Sequence, residues 1–145
     1  MKAFCVFFLL GIFATANAQT RVHAHNDYLN AEPCTAAYKS GAWSIEADVF
    51  LVNGKIMVAH TRDEVKEGAT LEEMYLQKIK NLTAEKGALP MQLMIDIKDD
   101  FSATYPVLEQ VLKPYFTSFR NKVQVTISGK RPDHATFNGV HFFCR

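Results

Sequence analysis

Acidic and basic side chains alternate with apolar ones along two short β-type segments of the chain. In Ser-Ile-Glu-Ala-Asp-Val-Phe, residues 44–50, one apolar residue separates Glu46 from Asp48. Asp96 and Lys98 have the same spacing in the segment 93–98. Because successive side chains of a strand point to opposite faces, each pair shares one face, opposite the apolar residues. Strands of a parallel sheet are usually apolar on both faces, so the repeated pattern favours a site over an exposed antiparallel strand.

Histidines lie at the ends of two other β-type runs. His23 and His25 share a face of the first run, and His60 ends the run that begins at Lys55. Ionisable groups near the ends of several runs are typical of a parallel α/β barrel, which collects its active site at the carboxyl ends of its strands.

The carboxylates Glu46, Asp48 and Asp96 would repel one another at such a site unless a cation joined them. Oxygen ligands suit magnesium or calcium better than zinc. The sequence therefore predicts a divalent metal, Mg²⁺ or Ca²⁺, on these three residues.

Strands and helices alternate from Thr20 onward, which indicates an α/β fold with parallel strands. An Asn53-Gly54 turn separates two of the strands, and Thr70-Leu71-Glu72-Glu73 resembles a capping box. Strands are predicted over 21–26, 43–51, 55–60, 91–98 and 122–128, and helices over 33–40, 70–82 and 106–115.

The order of these motifs resembles the glycerophosphodiester phosphodiesterase-like superfamily. The matching elements are His25, then Glu46-Ala47-Asp48, then His60, then Asp96-Ile97-Lys98. His25-Asn26-Asp27-Tyr28 is similar to the "altered inheritance of mitochondria" group, and the Glu, Asp, Asp set is similar to sphingomyelinase D-type enzymes. The resemblance implies a TIM-type (β/α) barrel.

The resemblance also implies a metal-dependent phosphoric diester hydrolase acting in lipid or glycerophosphodiester metabolism. His25 and His60 would be its acid–base pair, and Lys98 would neutralise the phosphate or orient the carboxylates. The expected partner is a small-molecule or lipid phosphodiester. A Pro-Glu-Asn-Thr segment of the glycerophosphodiesterases is replaced here by Glu32-Pro33-Cys34-Thr35, so no ligand role is carried over to Glu32.

The first eighteen residues resemble a secretory signal peptide. Lys2 precedes an apolar run from Phe4 to Phe13, and Ala16-Asn17-Ala18 is a small-x-small cleavage pattern. We expect a secreted or periplasmic protein, residues 19–145, without a transmembrane anchor. A formal net charge of +1 and the lack of a basic stretch predict no nucleic-acid partner.

Chain length suggests that only the N-terminal half of the barrel is present. An eight-unit barrel takes about 250 residues, whereas the sequence has 145 residues. The expectation is therefore a truncated enzyme that is inactive alone.

Two alternatives remain open. The chain could be an inactive secreted fragment or binding protein, or an amidohydrolase-like metal hydrolase that uses His23-x-His25. The role of His23 and a disulfide between Cys34 and Cys144 also stay undecided.

Overall fold

Five strands form one sheet in the computed structural model, which describes residues 20–130. The strands are β1 (His23–Ala24), β2 (Ser44–Val52), β3 (Lys55–Val58), β4 (Met91–Ile97) and β5 (Val123–Gly129). The α-helices are α1 (Thr35–Lys39), α2 (Gln77–Ala84), α3 (Phe101–Leu112) and α4 (Phe116–Phe119). A π-helical turn, Glu72–Leu76, leads directly into α2, and 3₁₀ turns cover Asp27–Leu29, Arg62–Glu64, Lys113–Tyr115 and Arg120–Lys122.

The sheet is built on four parallel strands in the order β1-β2-β4-β5, which is also their order along the chain. β3 is antiparallel to β2 and follows the Asn53-Gly54 turn, where both residues have positive φ. Such a turn suits the twist of a hairpin. Val49 pairs with Val58 on one side and with Ile97 on the other, so β3 extends the edge of β2 opposite β4. The predicted α/β fold with parallel strands is confirmed.

One face of the sheet is the core of the molecule. Ile45, Ala47 and Val49 of β2 are fully buried, as are the odd-numbered residues of β4 from Leu93 to Ile97. They belong to one apolar cluster with helical residues such as Ile79 and Leu108. Burying a side chain of this size contributes roughly 1.5–3 kcal/mol, so this face holds the strands in place.

The opposite face of β4, which carries Gln92, Met94 and Asp96, is only half-buried, because burial alternates residue by residue along the strand. Two of these three residues are polar, and we call this side of the sheet the polar face. Across this face the side chain of Gln92 donates to Thr126 Oγ1 over 2.8 Å. The contrast between the two faces fixes the register of the strands, because a slip by one residue would exchange them.

Helix α3 begins earlier than the sequence pattern predicts. The sequence pattern predicts a helix over 106–115, but the helix starts at Phe101, where the side chain of Asp100 caps it by accepting a hydrogen bond from Ala103 N at 2.9 Å. Pro106 therefore lies inside the helix, where it lacks the N–H that a helix interior uses. The capping signal at Thr70 is confirmed, because its hydroxyl oxygen accepts from Glu73 N at 3.1 Å.

Within residues 20–130 the outer strands of the parallel path, β1 and β5, do not pair with each other. The parallel sheet is thus established, and its closure into a TIM-type barrel stays a prediction. In the same range no helix is long and apolar enough to cross a membrane. The predicted signal peptide, residues 1–18, and Cys144 lie outside the described residues.

Candidate functional site

Three carboxylates converge on the polar face of the sheet. Glu46 and Asp48 project from the same side of β2, and Asp48 pairs in register with Asp96 of β4. One oxygen from each residue lies within 4.8 Å of the other two. Glu46 is 6% exposed and Asp48 is 1% exposed, so these charges lie largely out of water. The structure therefore brings together the three residues that the sequence singled out as metal ligands.

Each of the three carboxylates has one buried oxygen without a hydrogen-bond partner among the described residues. These oxygens are Glu46 Oε2, Asp48 Oδ1 and Asp96 Oδ1. A buried anionic oxygen without a partner is costly, and three in one cluster also repel one another. A divalent cation would remove both costs, and the all-oxygen donor set suits Mg²⁺ or Ca²⁺. The residues present therefore fit a metal ion of this class.

Lys98 contacts the remaining oxygens of the two aspartates. Its Nζ atom lies 2.5 Å from Asp96 Oδ2 and 3.2 Å from Asp48 Oδ2. Burial acts to lower the pKa of Lys98, but the hydrogen bonds and charges of Asp96 and Asp48 outweigh burial and raise that pKa above its ordinary value. The ammonium group therefore stays charged and holds the two Oδ2 atoms. This leaves the two Oδ1 atoms free for another ligand.

Three histidines border the carboxylate cluster. Nε2 of His23 and Nε2 of His25 each lie 3.4 Å from Glu46 Oε2, too long for a strong hydrogen bond, and His60 Nδ1 lies 3.6 Å from Asp48 Oδ2. His23 Nδ1 is also tied to Ser44 Oγ at 2.9 Å. The side chains of His25 and His60 are 69% and 51% exposed, against 38% for His23. His25 and His60 are therefore the histidines most accessible to a substrate.

Tyr28 is a site residue that the sequence did not predict. Its hydroxyl group lies 2.7 Å from Asp48 Oδ2, 3.1 Å from His60 Nδ1 and 2.9 Å from Asn26 Oδ1. Burial, followed by the hydrogen bond to Asp48 and its charge, raises the pKa of Tyr28 far above its ordinary value, so the hydroxyl keeps its proton. The only signal was a tyrosine three residues after His25.

A hydrogen bond of the buried Asp27 side chain holds the loop that carries Tyr28 in place. The side chain of Asp27 is fully buried, and its Oδ2 atom accepts a hydrogen bond from the backbone N–H of Cys34. Asn26 adopts the left-handed conformation at φ 51°, which an Asn tolerates better than most residues. The turn thus places the hydroxyl of Tyr28 next to the side chain of Asp48 on β2.

Gly129, at the end of β5, is the other unpredicted contributor. It has φ +79°, and a Cβ atom at this position would overlap Asp96 Oδ1 and the carbonyl oxygen of Ile97. The carboxylate of Asp96 therefore occupies the space that any other side chain would need. Gly129 directly follows the predicted strand 122–128, and no sequence pattern marked it as part of a site.

Comparison with known protein families identifies the family of this chain. The model of the AIM6-like phosphodiesterase domain matches residues 13–90, more than half of the chain. The chain belongs to this family. The AIM6-like match contains His25, Glu46, Asp48 and His60, whereas Asp96 lies beyond it. The predicted relation to the "altered inheritance of mitochondria" group is thereby confirmed.

Two curated relatives of this AIM6-like chain come from fungi. It is 27% identical over 130 residues to Altered inheritance of mitochondria protein 6 homolog of Arthroderma benhamiae, covering 69% of this chain and 41% of the relative. It is 35% identical over 115 residues to Altered inheritance of mitochondria protein 6 of Eremothecium gossypii, covering 66% of this chain and 30% of the relative. The chain thus spans less than half the length of either relative. No solved structure matches it.

The amidohydrolase-like alternative gains no support from these observations. Among the described residues, the group that could hold a metal ion consists of carboxylates alone. Within residues 20–130, His23 contacts Ser44 and Glu46, and its ring lies beside that of His25 with the two centroids 6.3 Å apart. The family model that matches the chain is that of a phosphodiesterase domain and not of an amidohydrolase.

Proposed function

We propose that this AIM6-like domain is a metal-dependent phosphoric diester hydrolase with Mg²⁺ or Ca²⁺ on Glu46, Asp48 and Asp96. Two observations carry the proposal. One carboxylate oxygen from each of these three residues lies within 4.8 Å of the other two. Each residue also has a buried carboxylate oxygen without a hydrogen-bond partner among the described residues. The phosphodiesterase name of the family supports the reaction class. When bound, the cation would supply positive charge that polarises a phosphoryl oxygen and stabilises the negative charge that develops in the transition state.

The proposed proton carriers are His25 and His60. Hydrolysis of a phosphodiester transfers one proton from the attacking oxygen and delivers another to the leaving oxygen. Imidazole suits both tasks because it titrates near neutral pH. Both side chains border the carboxylates and are more than half exposed. One histidine therefore serves as the acid and the other as the base.

Lys98 acts on the carboxylates in this proposal. With its Nζ on the Oδ2 atoms of Asp96 and Asp48, it orients both groups and offsets one negative charge. This arrangement favours the orienting role over direct contact with the phosphate. The expected substrate is a phosphodiester, either a small molecule or a lipid, within lipid or glycerophosphodiester metabolism.

The proposal also includes a barrel fold, a signal peptide and a secreted or periplasmic location. Parallel strands that are neighbours both in sequence and in space, with helices in the connections, support a TIM-type (β/α) barrel of which these strands are the N-terminal half. We propose a signal peptide over residues 1–18 and a secreted or periplasmic location, on the sequence pattern described above.

The test is a calorimetric titration of Mg²⁺ and of Ca²⁺ into the purified chain. Glu46→Gln should weaken binding, because it removes a charged ligand and keeps the shape of the side chain. Glu109→Gln is the matched control, since Glu109 is exposed on α3 and remote from the three ligands in sequence. Cleavage of a generic phosphodiester by a protein that contains the complete barrel, lost in chelator and restored by either ion, tests the reaction. Restoration by zinc alone would instead favour an imidazole-rich hydrolase.

A further inference from the structure

The hydroxyl oxygen of Tyr28 contacts both a candidate metal ligand, Asp48, and a histidine of the site, His60. It lies 2.7 Å from Asp48 Oδ2 and 3.1 Å from His60 Nδ1. The direct distance from His60 Nδ1 to Asp48 Oδ2 is 3.6 Å, longer than a hydrogen bond. Tyr28 therefore bridges two groups that do not bond each other directly.

The single hydrogen of a phenol decides which bonds are possible. A hydroxyl has one donor and two acceptor positions. An ionised carboxylate oxygen such as Asp48 Oδ2 can accept a hydrogen bond but cannot donate one. Its distance to the Tyr28 oxygen is the shortest of the three. The phenol hydrogen therefore points to Asp48 Oδ2. Any hydrogen bond between the Tyr28 oxygen and His60 Nδ1 must then be donated by the histidine. The amide of Asn26 can fill the second acceptor position with its N–H, because its oxygen and nitrogen exchange places by a half-turn.

We infer that Tyr28 is a positioning residue that fixes His60 as the tautomer protonated on Nδ1, leaving Nε2 as its basic nitrogen. The inference rests on the proposed function for the role of His60 as a proton carrier. Asp48 Oδ2 sets the direction of the phenol hydrogen, and the phenol oxygen sets the tautomer of the imidazole. A relay of this kind matters because a histidine in the wrong tautomer cannot accept a proton on the nitrogen that faces the reaction.

The tautomer can be measured without any assay of activity. Long-range ¹H–¹⁵N correlation spectra of the ¹⁵N-labelled chain distinguish Nδ1-protonated from Nε2-protonated imidazole, at a pH where His60 has been titrated to its neutral form. The signals of His60 are assigned by their loss in His60→Ala. The wild-type chain should show mainly the Nδ1-protonated form.

Tyr28→Phe should reverse the ratio toward the Nε2-protonated form, which free histidine prefers. Tyr38→Phe is the matched control, because Tyr38 donates its hydroxyl hydrogen to the carbonyl oxygen of Leu89, away from the site. That variant should leave the His60 signals unchanged.

A wild-type His60 that is protonated mainly on Nε2 would overturn the inference, whether or not Tyr28→Phe folds. An unchanged ratio in a folded Tyr28→Phe would overturn it as well. The result is separable from the proposed function: loss of the phosphodiesterase proposal leaves the tautomer measurement intact, and an active enzyme with Nε2-protonated His60 refutes only the role of Tyr28.

Discussion

Replacing Gly129 by alanine tests the geometry of the carboxylate cluster directly. The new Cβ atom would overlap Asp96 Oδ1 and the carbonyl oxygen of Ile97, and would lie 2.8 Å from the backbone nitrogen of Ile97. Two of these three atoms belong to the backbone of β4, which pairs with Gly129 at the end of β5. Rotation of the aspartate alone therefore cannot relieve the overlap, and the end of β5 must also move.

The expected cost has two parts. Alanine at φ +79° occupies the left-handed region, which costs about 1–2 kcal/mol. Overpacking against a well-packed strand adds roughly 1–3 kcal/mol. Because Asp96 Oδ1 is one of the three unpaired oxygens, its displacement should also weaken Mg²⁺ binding, by about 10- to 100-fold for a disturbed metal site.

Gly87→Ala is the matched control for the backbone term. Gly87 has φ +82°, and a Cβ atom there would meet nothing within 4 Å. Urea unfolding should therefore show Gly129→Ala to be the less stable variant by the overpacking term alone, about 1–3 kcal/mol. Calorimetric titration should show wild-type Mg²⁺ affinity in Gly87→Ala. Equal stability of the two variants, together with unchanged Mg²⁺ affinity in Gly129→Ala, would refute the placement of Asp96 against Gly129.

Two further predictions concern protons. Under the proposed function, His25→Ala and His60→Ala in a protein that contains the complete barrel should each lower turnover of a phosphodiester by about 10²- to 10⁴-fold. His23→Ala should do less harm, because His23 is less exposed and hydrogen-bonded to Ser44. A larger effect at His23 would reverse this assignment. Burial and then the hydrogen bond to Glu72 raise the pKa of Tyr115 to about 12 in the folded chain. The protonated phenol therefore stabilises the fold fully below about pH 10, the pKa of tyrosine in the unfolded chain, and this stabilisation is lost as pH rises toward 12. Tyr115→Phe should therefore unfold at lower urea than wild type below pH 10, and the gap should close as pH approaches 12; a constant gap would contradict the assignment of that pKa.

The carboxylate face could be predicted from the sequence because strand alternation is a local property. Once β2 and β4 are recognised, the side on which Glu46, Asp48 and Asp96 lie follows from the period of two. That the strands run parallel followed from the alternation of strands and helices. The register that pairs Asp48 with Asp96 depends on contacts between distant segments, and the sequence pattern did not predict it.

The contributions of Tyr28 and Gly129 could not be predicted in the same way. Tyr28 reaches Asp48 and His60 only because the chain turns at Asn26 and continues in a 3₁₀ turn. Gly129 matters because of an atom on a neighbouring strand, and a sequence gives no sign of such a close approach. The early start of α3 was missed for a different reason: two local signals competed, and the cap at Asp100 prevailed over Pro106.

The alternation of burial along β4 has a consequence for how this strand tolerates mutation. From Met91 to Ile97 the odd-numbered residues face the apolar core, and the even-numbered residues face the polar side on which Asp96 lies. Substitutions at odd positions are therefore filtered by whether the chain folds, whereas a substitution of Asp96 is filtered by whether the carboxylate cluster is kept. Neighbouring codons of one strand thus evolve under different constraints. Under the proposed function, a variant can therefore change its metal site at Asp96 while its fold, fixed by the odd positions of β4, stays the same.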